Sequence, residues 1–118
     1  MTDLVACFTS GDKSLTHVHR LVKEHDWQKI FLITNHSGKD IPKFEKPVEC
    51  IQVDSNKPVI ELIEDIRKGL HSKISDLEVA LNLVSGNGKE HMAILSALLK
   101  LGVGVRLVAV TKDGFKEL

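Results

Sequence analysis

The sequence predicts an α/β fold with a mainly parallel β-sheet. Short, almost continuous apolar runs alternate along the chain with longer segments in which apolar residues recur at helical spacing, as expected of parallel strands joined by helices. Most runs are apolar throughout rather than alternating, which is typical of strands covered on both faces. The chain has 118 residues, a length that suits one domain.

The first half of the chain predicts two strands with one helix between them. Residues 3–9 form an apolar run that suits a buried strand, and residues 15–25 show helical spacing after Ser14, a candidate N-cap. Residues 29–34 form a second buried run. Residues 38–47 contain two prolines and three lysines, which predicts a loop or one short helical turn.

The second half predicts three further strands and two helices. We expect strands at 48–53, 77–84 and 103–110, and helices from about 58 to 71 and from 88 to 100. The first of these strands alternates more than the other runs, which favours a place near the edge of the sheet. In the last helix, the residues expected to point inward are Met92, Leu95, Leu98 and Leu99.

The handedness of the connections gives the expected strand order. Crossovers between parallel strands are almost always right-handed, which makes the order of five strands 3-2-1-4-5. Helices on both faces would complete a Rossmann-like three-layer sandwich. The carboxyl ends of strands one and four would then lie side by side where the winding reverses, and this is where such sheets bind ligands.

Composition and charge exclude several partners. Sixteen Lys and Arg balance sixteen Asp and Glu, so the chain lacks the net positive field that attracts duplex nucleic acid or an acidic membrane surface. No run approaches 18 apolar residues and the start does not resemble a signal peptide, so we expect a cytoplasmic protein. Cys7 and Cys50 are interpreted as buried small hydrophobic residues. The histidines lack ligand spacing, so we assign no metal and no cofactor.

Two polar turns are expected to meet at the switch point. They are formed by Thr9-Ser10-Gly11 and by Ser85-Gly86-Asn87-Gly88-Lys89. Each leads into the amino end of a helix, where unpaired N–H groups, glycines that allow close approach and a lysine can hold a phosphate. The alternative is that Gly and Ser serve only to turn the chain and cap the helices.

Two common phosphate-binding motifs do not match these turns. A P-loop requires a glycine five residues before Gly88 and a Ser or Thr after Lys89, and Leu83 and Glu90 occupy those positions. The dinucleotide pattern G-x-G-x-x-G is also missing from the first turn, where Gly11 stands alone. We therefore expect neither a P-loop nucleotidase nor an NAD-binding protein.

The second turn resembles a known family. It reads Asn82-Leu83-Val84-Ser85-Gly86-Asn87-Gly88-Lys89, followed by Met92-Ala93. This is similar to the strand-four signature of the CRISPR-associated Rossmann fold (CARF) family, roughly N-L-T-G-G-T-K-x-M, and the first turn is similar to that family's other ligand-binding turn. Ser85-Gly86 replaces the usual double glycine, and Gly88 adds one residue before the lysine.

The resemblance implies a homodimer that binds a cyclic tetra- or hexa-adenylate in type III CRISPR antiviral signalling. For a standalone domain it further implies a ring nuclease, in which an adenosine 2′-hydroxyl attacks the adjacent phosphorus without a metal and leaves a 2′,3′-cyclic phosphate. One alternative is a non-catalytic sensing or interaction module that regulates a separate effector chain. Another is an unrelated enzyme of phosphorylated metabolites on the same fold.

The expected roles of the site residues follow from this resemblance. Lys89 and Ser10 are the candidate catalytic residues, with Lys89 neutralising the developing charge. His91 could act as an acid or base, or it could be a polar residue that faces solvent. The candidate ligand-binding residues are Thr9, Gly11, Ser85, Gly86, Asn87, Gly88 and His91.

Overall fold

The computed structural model describes residues 2–9, 12–37, 40–41 and 43–118. Three helices and six strands are found in this part of the chain. In chain order they are β1 (Thr2–Phe8), α1 (Asp12–Glu24), β2 (Trp27–Thr34), β3 (Glu49–Gln52), α2 (Val59–Leu70), β4 (Glu78–Asn82), α3 (Gly88–Lys100), β5 (Gly104–Thr111) and β6 (Gly114–Glu117).

The strands form one sheet in the order β3-β2-β1-β4-β5-β6. All neighbours are parallel except β5 and β6, which are antiparallel. The predicted α/β class and the order of the first five strands are therefore confirmed. The sequence analysis missed β6, a four-residue strand that follows a tight turn in which Gly114 has a φ of 98°.

The sheet separates two apolar layers. On one face, Val5 and Cys7 of β1 pack in a cluster with residues of α2 and α3. On the other face, Leu4 and Ala6 of the same strand pack with residues of α1. This alternation along a buried strand confirms the three-layer arrangement and places β1 at the centre of both layers.

The inward face of α3 differs from the expectation. Leu98 is buried, but Met92, Leu95 and Leu99 are 65%, 38% and 63% exposed. The prediction of an inward position was wrong for these three residues because the helix packs through a neighbouring stripe that contains two alanines. The buried residues of that stripe are Ala93, Ile94, Ala97 and Leu98.

The two cysteines also differ from each other. Cys7 is buried as predicted, whereas Cys50 is exposed, so the prediction for Cys50 was wrong. Cys50 lies on the edge strand β3, where its neighbour Ile51 faces the α2 layer. Cys50 therefore points to the opposite face, beyond the strands that α1 covers.

The helices are short, with twelve or thirteen residues each. Within the described residues, none of them has the length and apolar character needed to cross a membrane.

Candidate functional site

The turns after β1 and β4 meet at one edge of the sheet. The two strands run parallel with Ala6 beside Asn82, so their carboxyl ends lie together. Just beyond them, the Thr9 N–H donates a hydrogen bond to Ser85 Oγ at 3.1 Å. The expected meeting of the two turns is confirmed at these residues. Ser10 and Gly11, which were also expected here, lie outside the described residues.

Gly86 occupies the inner side of the turn after β4. Its φ is +100°, a backbone conformation that side chains strongly disfavour. A Cβ at this position would lie 2.7 Å from Glu90 Oε1 and 2.9 Å from Thr9 Oγ1. It would also lie 3.0 Å from Cys7 Sγ. Gly86 therefore allows the turn to approach the end of β1, and its inner side is filled by protein.

Glu90 joins the two turns, although sequence analysis did not select it as a site residue. Its side chain is only 6% exposed. Glu90 Oε1 accepts hydrogen bonds from Thr9 Oγ1 at 2.8 Å and from the Asn87 N–H at 2.9 Å. In return, Asn87 Oδ1 accepts the Glu90 N–H at 2.9 Å. The available signal was the spacing of Asn87 and Glu90, which matches a capping box at the start of a helix.

The surroundings of Glu90 favour its ionised form. Burial works to raise the pKa of the carboxyl, while the hydroxyls of Ser55 and Thr9 work to lower it. The Asn87 N–H and the nearby His91 also lower it, and together these groups hold the pKa below the usual 4.5. Ser55 Oγ is buried, and Ser55 lines the same small cavity as Glu90.

The charge on Glu90 also affects the nearest thiol. Burial, reinforced by the Glu90 carboxylate, raises the pKa of Cys7 to about 12, and a hydrogen bond with Thr9 only partly offsets the increase. Cys7 therefore stays a neutral thiol at physiological pH, so it is not a candidate nucleophile.

Lys89 lies on the outer side of the same turn. Its side chain is exposed, and Lys89 Nζ donates a hydrogen bond to the main-chain oxygen of Ser55 at 3.0 Å. Ser55 belongs to the loop between β3 and α2, so a third loop joins the same edge. Gly88 is open to the outside, because a Cβ there would meet no heavy atom of the described residues within 4 Å.

His91 is directed back into the turn. The ring is partly buried, and His91 Nε2 lies 2.7 Å from the main-chain oxygen of Ser85. A carbonyl oxygen only accepts, so Nε2 carries the proton and donates. The alternative in which His91 simply faces solvent is therefore wrong, and Nε2 is already committed to the backbone.

Asn82 and His17 form a second polar group that sequence analysis did not connect. Asn82 is buried at the end of β4, and its Nδ2 donates to the Val108 oxygen at 2.9 Å and to His17 Nε2 at 3.0 Å. His17 Nε2 also accepts the Val110 N–H at 3.4 Å. Burial, with a smaller contribution from the charge of Arg20, lowers the pKa of His17 from 6.5.

The outer side of the turn after β4 carries the groups that can hold an anion. Lys89 and the open first turn of α3 face outward, where unpaired helix N–H groups and the helix dipole favour negative charge. The carboxylate of Glu90 and the Nε2 proton of His91 are both engaged within the turn. Within the described residues, no group of three or more His, Cys, Asp or Glu side chains is arranged to hold a metal ion.

The chain was compared with known proteins by family and by sequence. No protein-family model matches it, and no curated protein is similar to it at a significant level.

Proposed function

We propose that this chain binds a cyclic oligoadenylate at the edge where the turns after β1 and β4 meet. The observation that carries the proposal is the hydrogen bond from Thr9 to Ser85, which joins the two turns beside the exposed Lys89. Each phosphodiester of such a ring carries one negative charge. A lysine and the amino end of a helix together provide the donors and the positive potential that this group requires.

The proposed contacts lie on the outer side of the turn. The Asn87 N–H is already bonded to Glu90, so it is not available to a phosphate while the capping box is intact. The N–H groups of Gly88 and Lys89, the first two residues of α3, have no partner within a regular helix. The extra glycine leaves space for a phosphate to approach them, since nothing within 4 Å would meet its Cβ.

We extend the proposal to a homodimer, as the CARF resemblance implies. Met92, Leu95 and Leu99 give α3 an exposed apolar stripe that begins within one turn of Lys89. Exposed apolar stripes of this kind are common at subunit contacts. Sedimentation of the purified chain should give twice the 13.1 kDa mass of the monomer.

Cleavage of the ring is the catalytic form of the same proposal. An adenosine 2′-oxygen would attack the adjacent phosphorus, the bond to the 5′-oxygen would break, and the 2′-hydroxyl proton would end on the released 5′-oxygen. The products are a 2′,3′-cyclic phosphate and a 5′-hydroxyl. The chain would contribute alignment of the reacting atoms, with Lys89 neutralising charge on the phosphate oxygens.

A non-catalytic sensing module is the second candidate function, because groups that could take part in proton transfer are used to hold the turn. Glu90 and the Nε2 atom of His91, two titratable groups at the turn, are already hydrogen-bonded into it. Because these two groups already hold the turn together, the site also suits a protein that binds the cyclic oligoadenylate without cleaving it and signals to a partner chain.

Replacing Lys89 tests the proposal directly. We expect Lys89→Ala to weaken binding of cyclic tetra- or hexa-adenylate by about tenfold or more, the usual effect of losing a hydrogen bond to a charged group. Lys100→Ala is the matched control, because Lys100 is an exposed lysine at the other end of the same helix, and it should leave the affinity unchanged. Equilibrium dialysis in the presence of EDTA provides the affinities.

Chromatography of the same mixtures separates the candidates. Linear products that disappear in Lys89→Ala support cleavage, and tight binding without products supports the module. Failure to bind either ring would overturn the proposal. Preference for a mononucleotide would favour the enzyme of phosphorylated metabolites.

A further inference from the structure

The second polar group fixes the protonation state of His17. Its Nε2 atom receives two donors, the Asn82 amide and the Val110 N–H, at 3.0 and 3.4 Å. The Asn82 amide can only donate through Nδ2, and that atom also bonds to the Val108 oxygen. Nε2 is therefore an acceptor, and the ring is the neutral form with its proton on Nδ1.

These bonds attach the start of α1 to the sheet. Val18, Leu21 and Val22 hold the remainder of the helix by apolar packing in the layer that α1 covers. Leu15 also packs against this layer, so His17 lies within the packed stretch of α1 and adds polar contacts that join the helix to both β4 and β5. Phe8 lies in the same apolar cluster as Val18, and the next residue, Thr9, belongs to the proposed ligand site.

Among the side chains that the structure describes, none with a negative charge acts on the His17 ring. β4 and β5 present the uncharged Asn82 amide and the Val110 main chain. On α1 itself, Arg20 adds a positive charge nearby. A proton on Nε2 would face two N–H groups and lose both acceptor bonds. Burial and Arg20 accordingly lower the pKa of His17 from 6.5.

We propose that His17 is a proton-sensitive latch between the start of α1 and strands β4 and β5. The neutral ring holds the helix against the sheet, and protonation of Nε2 releases it. Acid would thereby loosen the packing of α1 against Phe8, the residue before Thr9. This last step rests on the proposed function, because it makes ligand affinity fall with pH, whereas the latch itself belongs to the unliganded protein.

Nuclear magnetic resonance of the unliganded chain tests the latch. At about pH 8, His17 Nε2 should give the signal of an unprotonated nitrogen. Acidification should protonate it with a midpoint below 6.5. In the same pH range, hydrogen exchange of the Val110 amide, corrected for its intrinsic pH dependence, should become faster by about tenfold or more. The proposal would be overturned if Nε2 were already protonated at about pH 8, or if the exchange rate of the Val110 amide did not change as His17 titrates.

A variant separates the latch from a general effect of acid. In His17→Gln, the side-chain oxygen can accept the same donors but cannot take up a proton in this range, so the pH response of Val110 should disappear. His19→Gln is the control, because His19 lies on the same helix and stacks on Phe44 at 4.3 Å, and its response should match the wild type. Should His17→Gln fail to fold, the wild-type titration still decides the question.

Ligand affinity provides the last comparison. Cyclic tetra-adenylate should lose affinity between about pH 8 and about pH 5.5 by several-fold more in the wild type than in His17→Gln. If cyclic tetra-adenylate binds at neither pH while the Val110 amide responds to acid, the proposed function fails and the latch stands. If cyclic tetra-adenylate binds and the hydrogen exchange of the Val110 amide does not respond to acid, the latch fails and the proposed function stands.

Discussion

Gly86 lies where the turn after β4 presses against the end of β1. From the sequence, this glycine was expected to form part of a phosphate-binding turn. Its inner side is instead occupied by Glu90, Thr9 and Cys7, at distances that leave no space for a side chain. Gly86 thus serves the packing of the two turns, and Gly88 is the glycine that leaves the outer side open.

This difference predicts opposite effects for two alanine substitutions. We expect Gly86→Ala to lower the free energy of unfolding by at least about 2 kcal/mol, because it combines a positive φ with contacts below 3.0 Å. Gly88→Ala should leave stability unchanged or raise it by up to about 1 kcal/mol, since its Cβ meets open space at a helical position. Urea unfolding measures the free energy of unfolding of both variants. Equal losses in the two variants would contradict the placement of Gly86 inside the turn and of Gly88 outside it.

Other residues of the site differ in how far the sequence could locate them. Ser85 and Lys89 follow a recognisable strand, so the sheet order alone predicts the edge on which they lie. The bond between Asn82 and His17 joins residues 65 positions apart, and no local pattern indicates such a pair. Glu90 could have been selected from the sequence, because the capping-box spacing involves only neighbouring residues.

At the scale of elements, α3 begins and ends at the predicted residues but presents a different face. The helical spacing of its apolar residues fits two neighbouring stripes, and both contain leucines. The buried stripe includes Ala93 and Ala97, which allow the helix to approach the sheet closely. Periodicity alone could not choose between these stripes, because the choice depends on the shape of the surface beneath.

Two adjacent leucines test which stripe is buried. Leu98 is fully buried and Leu99 is 63% exposed. Leu98→Ala should lower the free energy of unfolding by about 2–5 kcal/mol, the cost of a cavity in a packed core. Leu99→Ala should change it by no more than about 0.5 kcal/mol if the chain is monomeric under the conditions used. Denaturant unfolding at low protein concentration measures both, and a larger loss for Leu99→Ala would contradict the orientation of α3.

At the scale of the whole molecule, the sheet order followed from the handedness of crossovers, which operates over any length of chain. The sixth strand did not follow from it. β6 has four residues, and Phe115 is its one large apolar residue. It is held by antiparallel pairing with β5 after a tight turn, a local feature that gives little hydrophobic signal.

The cysteines provide a measure of opening of the whole sheet. In the folded protein, a thiol reagent should label the exposed Cys50 and leave Cys7 unreacted, because Cys7 is buried with a pKa of about 12. In Cys50→Ser, labelling of Cys7 should therefore follow global unfolding and accelerate with added urea. In the reverse variant, Cys7→Ser, the remaining thiol of Cys50 should be labelled rapidly without urea. Rapid labelling of Cys7 in the native protein would contradict its placement.

The central position of β1 has a consequence for synthesis of the chain. β1 pairs on one side with β2, which follows closely, and on the other side with β4, where Ala6 meets Asn82. A ribosome releases the first strand long before its second neighbour exists, so one of its edges stays open while most of the protein is made. Closing such distant pairs is slow, and unpaired apolar edges favour aggregation. The apolar edge of β1 that β4 covers in the folded protein therefore stays unpaired in the nascent chain until the fourth strand emerges.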